Sequence, residues 1–328
     1  MRVGIPCGLF YFYYYPLWKT FFTDLGAEVV TSLPTSRVTL DKGSAIAVDE
    51  ACLPVKVYYG HVRELCSRSL DYLFIPRLVS VEPRSYICPK FMGIPDMLRA
   101  QMPDLPELID ITVDLSRTDR FLKRDIIKLG KKLGQKPGAA KAAYEHARQE
   151  NRLCHDIARQ GWTMAEAIQI WEGNMLAQPQ PGDLNIGVLG HGYSLYDEGL
   201  SMGIINKVRQ MGCQVRLLEG MEPEIIEMKA AAMPKRVFWT LGRKIMGSVM
   251  NMDHSRDIDG IIYLACFGCG PDSMIGEMAE RYATNKPFMM LTIDEHSGEA
   301  GMLTRLEAFC DMLRRRSRVN ESQFSAHG

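Results

Sequence analysis

The stretch Gly260-Ile261-Ile262-Tyr263-Leu264-Ala265-Cys266-Phe267-Gly268-Cys269-Gly270-Pro271-Asp272-Ser273-Met274-Ile275 decides how this chain is read. Residues 260–265 form a short apolar run, as a strand buried on both faces requires. Two glycines end it, and Pro271 then suits a first helical turn, where a missing N–H costs nothing. Met274, Ile275, Met278 and Tyr282 recur on one face of a helix over residues 271–283. Cys269 therefore stands between a strand end and a helix start. In open α/β sheets that is where ligands bind.

Outward from this unit the same alternation repeats. Residues 2–6, 28–31, 71–75 and 109–114 read as strands, and residues 11–25, 40–48 and 54–66 as helices. Residues 118–178 differ. They are rich in Lys, Arg, Ala, Glu and Gln with almost no strand signal, and read as two or three helices closed by Gln178-Pro179-Gln180-Pro181-Gly182. A second αβ series follows, with strands at 185–189, 214–218, 260–265 and 288–293. Helices are expected at 199–211 and 304–316, and a long helical stretch, continuous or broken, at 224–250. The tail after Ser317 reads as frayed. The expected fold is α/β: two Rossmann-like or flavodoxin-like lobes with parallel sheets, residues 1–117 and 183–328, joined by a helical connector, residues 118–182.

The 328 residues suffice for two domains, and 46% hydrophobic with 24% charged residues is ordinary globular composition. Thirty-nine basic residues balance 39 acidic ones, and the one basic run, Arg314-Arg315-Arg316, suits a helix end, so nucleic acid is not an expected partner. The first residues lack signal-peptide regions and no apolar run reaches membrane-spanning length. The expected compartment is the cytoplasm, where nine cysteines stay reduced and point to metal or redox chemistry rather than to disulfides.

Three of those cysteines share one setting. Cys52 in Glu50-Ala51-Cys52-Leu53-Pro54, Cys88 in Tyr86-Ile87-Cys88-Pro89-Lys90, and Cys269 each precede a proline and an apolar-periodic segment. A cysteine at a helix N-terminus faces unpaired N–H groups and the positive end of the helix dipole, which favour thiolate. Thiolates suit a soft metal or an iron–sulfur cluster. Other readings stay open on pattern alone: three unrelated core residues, a dithiol at Cys266-x-x-Cys269, or structural zinc. Cys66, Cys213 and Cys310 read as core, Cys154 carries no signal, and Cys7, after the first strand, is a secondary candidate. Neither GxGxxG nor GxxxxGK[ST] occurs, so no P-loop ATP site is expected. Gly190-His191-Gly192-Tyr193 and Asp294-Glu295-His296 each follow a strand end and reach the same crevice or form ordinary turns.

Those segments carry a resemblance over nearly the whole length. The chain resembles activase-related members of the 2-hydroxyacyl-CoA dehydratase / benzoyl-CoA reductase superfamily, relatives of the double-cubane-cluster proteins. It does so through Gly4-Ile5-Pro6 with the tyrosine run 11–15, Asp49-Glu50-Ala51-Cys52-Leu53-Pro54-Val55-Lys56, Phe74-Ile75-Pro76-Arg77 and Ile87-Cys88-Pro89-Lys90. Gly190-His191-Gly192-Tyr193-Ser194-Leu195-Tyr196-Asp197, Cys269-Gly270-Pro271-Asp272-Ser273 and Thr304-Arg305-Leu306-Glu307-Ala308-Phe309 complete it. The resemblance implies an oxygen-sensitive, low-potential iron–sulfur protein of anaerobic electron transfer. Its cluster, 4Fe–4S or an 8Fe double cubane, would be held between the lobes by Cys52, Cys88 and Cys269, with one iron open. Cys266 and Cys7 rank behind them as ligands, because other residues often stand there in the family. Tyr193, Asp272, Ser273 and Glu295 are candidates for substrate contact or for supporting the ligands. The implied partners are a separate ATP-hydrolysing iron–sulfur activator, a homologous subunit in a homo- or heterodimer, and a small-molecule or acyl-CoA substrate. Dehydratase, reductase and non-catalytic scaffold or cluster carrier remain alternatives, since the chain is shorter than catalytic dehydratase subunits.

Overall fold

Two parallel four-stranded sheets organise the chain. The computed structural model describes the backbone of residues 1–325 and the side chains of residues 1–316. The N-terminal lobe contains β1 (Arg2–Ile5), α1 (Tyr11–Asp24), β2 (Glu28–Thr31), α2 (Arg37–Ser44), α3 (Leu53–Cys66) and β3 (Tyr72–Phe74). It continues with β4 (Arg77–Ser80), α4 (Pro89–Gln101), β5 (Glu107–Ile109) and β6 (Thr112–Asp114). Three helices follow: α5 (Arg120–Lys132), α6 (Pro137–Ala158) and α7 (Met164–Trp171). The C-terminal lobe runs β7 (Leu184–Gly190), α8 (Gly192–Leu195), α9 (Glu198–Ser201), α10 (Ile204–Gln210), β8 (Cys213–Arg216), α11 (Pro223–Ala231) and α12 (Thr240–His254). It ends with β9 (Gly260–Cys266), α13 (Gly270–Tyr282), β10 (Phe288–Ile293) and α14 (Glu299–Ser325).

The strand orders are β2-β1-β3-β5 and β8-β7-β9-β10, all parallel. This is the expected α/β class. Each sheet has its first strand beside its third, and the chain crosses to opposite sides there, opening a crevice at the strands' carboxyl ends. Every residue of β9 is buried, which explains its unbroken apolar run.

Several elements differ from the sequence expectation. Residues 109–114 are two strands: β5 joins the main sheet, and β6 pairs with β4 in a separate two-stranded sheet. The break falls opposite Pro76, between β3 and β4, which has no N–H to continue a ladder. The helix expected over 199–211 is interrupted where Met202 and Gly203 take left-handed φ of 52° and 64°. The stretch 224–250 is two helices, α11 and α12, separated by a segment containing Pro234. The last helix continues to Ser325 instead of fraying after Ser317, and residues 326–328 lie outside the described residues.

The lobes are tied by polar contacts and by backbone. Thr35 Oγ1 donates to Asp197 Oδ2 at 2.5 Å, and Lys56 Nζ pairs with Glu295 Oε1 at 2.6 Å. The loop after β4 crosses over: Tyr86 N donates to Phe238 O at 2.9 Å, and Thr240 N to Tyr86 O at 2.8 Å. The intervening helices bind both lobes, since Glu166 in the first turn of α7 meets Arg209 at 2.5 Å and Glu172 after it meets Lys19 at 2.5 Å.

Helix α3 packs on α2 with backbone in contact, because a Cβ at Gly60 would stand 1.9 Å from the Thr39 carbonyl oxygen. Gly60→Ala should force the two helices apart and destabilise the fold by about 1–3 kcal/mol. Urea unfolding checks this, and an unchanged midpoint would show that α2 yields freely.

Candidate metal centre

Helices α3, α4 and α13 each begin at a cysteine. Cys52, Cys88 and Cys269 are the N-cap residues, and Pro54, Pro89 and Pro271 occupy the first turns. First-turn N–H groups of Val55, Lys90 and Asp272 face the three sulfurs, and all three are free thiols. Two of these helices belong to the N-terminal lobe and one to the C-terminal lobe. The thiols of Cys52 and Cys269 are nonetheless in hydrogen-bond contact. Gly268, at φ +73°, allows this approach: a Cβ there would already touch the Cα of Cys52 at 3.8 Å. Cys88 lies within electrostatic reach of Cys52 and lines a narrow slot with His191, Tyr193 and Pro271.

The thiols are not equivalent. The hydrogen bond from Cys269 brings Cys52 down to about 6, against burial, with the Lys90 charge and the Val55 N–H adding to it. Cys269 is pushed up by the same bond and then by burial. Burial raises Cys88, partly countered by the Lys90 N–H. One proton is thus held between Cys52 and Cys269, and the first thiolate forms at Cys52.

Behind the thiols lies a buried polar group centred on Asp272, which is 2% exposed. Its Oδ1 accepts from the His191 ring at Nδ1 (2.6 Å) and from Tyr263 Oη (2.7 Å), and its Oδ2 from Cys266 N (3.0 Å). Burial raises Asp272, but His191 and the N–H and O–H donors outweigh it, so the carboxyl titrates below its usual range. His191 stacks on Tyr193 with ring centroids 5.0 Å apart, and Phe91 packs against Tyr193 at 5.3 Å. Donor atoms of His191, Cys269 and Asp272 lie within 4.8 Å of one another, a grouping able to hold a metal ion. Asp272 already accepts three hydrogen bonds, so its first effect is to orient His191 and the Cys266–Cys269 turn.

Other residues singled out in the sequence fall as follows. Tyr193 and Asp272 are in the site. The exposed Ser273 donates its hydroxyl to the Cys269 carbonyl at 3.0 Å, bracing the start of α13. Glu295 is held in the ion pair with Lys56, one turn along α3 from Cys52. The Cys266 thiol donates to Ser194 Oγ at 3.3 Å and is pushed up by burial. Cys7 lies apart, beside Tyr11 in a cavity of about 560 Å³ that Asp197 and Glu172 also line, and burial pushes it up to about 12. The sequence reading left His191, Tyr263 and Lys90 out of the site. A histidine between two glycines at a strand end was the signal available for the first. Leu241 borders the slot and also a cavity of about 520 Å³, whose walls include Phe10, Tyr14, Arg152, Arg159 and Lys244.

A family model described as CoA enzyme activase uncharacterised domain matches residues 2–220. No curated protein matches the chain. Among the described residues no helix is long and apolar enough to cross a membrane.

In reduced, metal-free protein, alkylation of Cys52 should follow an ionisation near pH 6, and Cys269→Ala should move it up toward the ordinary 9.0. A folded-state value below the unfolded one stabilises the fold fully above pH 9, and this contribution is lost as pH falls through about 6. Cys269 acts oppositely above its unfolded value of 9.0, where only the unfolded thiol ionises. A Cys52 midpoint unmoved by Cys269→Ala would show that the thiol–thiol bond is not the cause.

Proposed function

This chain belongs to the CoA enzyme activase uncharacterised domain family, and from that premise we propose that it is the iron–sulfur subunit of a low-potential redox system served by a separate ATP-hydrolysing activator. The observation that carries the reading is the convergence of three N-cap cysteines from both lobes, Cys52 in contact with Cys269 and Cys88 within electrostatic reach of Cys52. The neighbouring fourth thiol, Cys266, is engaged with Ser194 Oγ, and the remaining three would suit a 4Fe–4S cluster with one iron open, or one half of a larger cluster. When bound, such a cluster supplies one-electron transfer and a coordination position for an outside ligand.

The protein's own groups have separable tasks. Cys52, Cys88 and Cys269 would hold the cluster, and the N–H groups of three helix starts would stabilise its negative charge. Asp272 fixes Nδ1 of His191 as its hydrogen-bond partner and holds the Cys266 N–H, so the ring and the cysteine turn keep one orientation. Tyr193, Phe91 and Trp239 wall the site with aromatic surface and exclude water. The adjoining cavity is largely apolar, its Arg152, Arg159 and Lys244 matched by Asp156, Glu219 and Glu227, and suits a small acyl group. The bound cluster would supply a single electron, which a dehydration would return and a reduction would consume.

Docking of an electron donor is supported by the surroundings of the cysteines. Phe267 is 70% exposed between Cys266 and Cys269, and Met274, Tyr86 and Met92 are exposed near the starts of α13 and α4. A second, homologous subunit or the activator would cover this apolar rim.

Protein purified without oxygen should contain about four irons and four acid-labile sulfides per chain, or about eight irons shared by a dimer, with an EPR signal on reduction. Cys269→Ala should remove most of the iron. Asp272→Asn should retain iron but change the reduction potential, because the second-layer charge and the His191 contact change. Zinc in place of iron, or normal iron in Cys269→Ala, would overturn the assignment.

A further inference from the structure

The opposite edge of the C-terminal sheet carries a second cluster of sulfur. Cys213 opens β8 beside Leu184, the first residue of β7, whereas His191 follows the last residue of β7. The two places are about 20 Å apart along the strand. Cys213 Sγ lies 3.7 Å from Cys310 Sγ of α14, and Cys310 Sγ lies 3.9 Å from Met211 Sδ at the end of α10. Sulfurs bound to one ion at about 2.3 Å stand about 3.8–4.0 Å apart, which both of these pairs match. Both cysteines are 1% exposed, while Met211 is only half-buried and opens a path to solvent.

We propose that Met211, Cys213 and Cys310 form a three-coordinate site for monovalent copper, independent of the cysteines between the lobes. A thioether beside two thiolates is a soft donor set, which favours Cu(I) over harder ions. Structural zinc takes four nitrogen, thiolate or carboxylate ligands, and iron–sulfur clusters take thiolates rather than thioethers. The further group in contact with Cys213 is the Arg314 guanidinium, 3.8 Å from Sγ. It cannot ligate, and it opposes a second positive charge on the ion. Two thiolates and Cu(I) carry a net single negative charge, which the guanidinium offsets. Arg314 is itself held by Asp183 at 2.7 Å and by the Met211 carbonyl at 2.5 Å, so it braces a ligand-bearing turn. Binding converts two thiols to thiolates and releases two protons to solvent, with no change in the oxidation state of sulfur or metal.

The test is anaerobic titration of the purified holoprotein with Cu(I) against a competing Cu(I) chelator, comparing wild type with Cys310→Ser, Cys213→Ser and Met211→Leu. Iron is counted in every sample. The wild type should bind one Cu(I) more per chain than either serine variant, with a near-ultraviolet thiolate-to-copper band, at unchanged iron content. Met211→Leu preserves volume and should keep the ion with at least tenfold weaker affinity. Equal copper in wild type and Cys310→Ser, or undiminished affinity in a well-folded Met211→Leu, overturns the site. Anaerobically purified wild type that takes up no copper because Cys213 and Cys310 are already a disulfide overturns it as well.

Discussion

An α-helix leaves its first N–H groups without partners of its own, and three helices here place that end at one point. The arrangement needs two sheets whose carboxyl edges approach each other, since α3 and α4 start from one and α13 from the other. It also needs turns small enough for sulfur to meet sulfur, which Gly268 supplies in the left-handed region. Everything else in the region follows from this shared field of dipoles. An acidic thiol at Cys52 and prolines without N–H are favoured there, and a buried carboxylate is kept one layer back.

The placement of Asp272 shows how magnitudes are balanced. A carboxylate buried without partners would sooner take up a proton than stay charged. This one meets two side-chain donors and one backbone N–H and stays ionised below the usual range. The same contacts fix the strand end, the cysteine turn and the histidine to one another. A single residue inside α13 thus sets the geometry of parts that are far apart in the sequence.

Much of this was legible before any coordinates. The parallel lobes could be read because a strand covered on both faces is an apolar run, as β9 is. The cysteine positions could be read because a following proline marks a helix start. Strand β4 was missed because Arg77 and Ser80 do not read as apolar, and Pro76 hides its continuity with β3. Glu295 looked like a crevice residue, but its partner Lys56 is 239 positions away, and no local pattern can show such a pair. His191 and Asp272 are 81 positions apart and met the same obstacle, as did the Cys213–Cys310 contact.

The strand-like crossing of Tyr86 to the Trp239 segment changes how the lobes divide. Cys88 follows Tyr86 by two residues and belongs to the N-terminal lobe by sequence, yet backbone hydrogen bonds anchor its loop to the C-terminal lobe. The segment around Cys52 is tied across by side chains instead: its sulfur meets Cys269, Lys56 pairs with Glu295, Arg37 donates to the Glu295 carbonyl, and Thr35 joins His61 of α3 to Asp197. The site between the lobes is thus closed by backbone on the Cys88 side and by side chains on the Cys52 side.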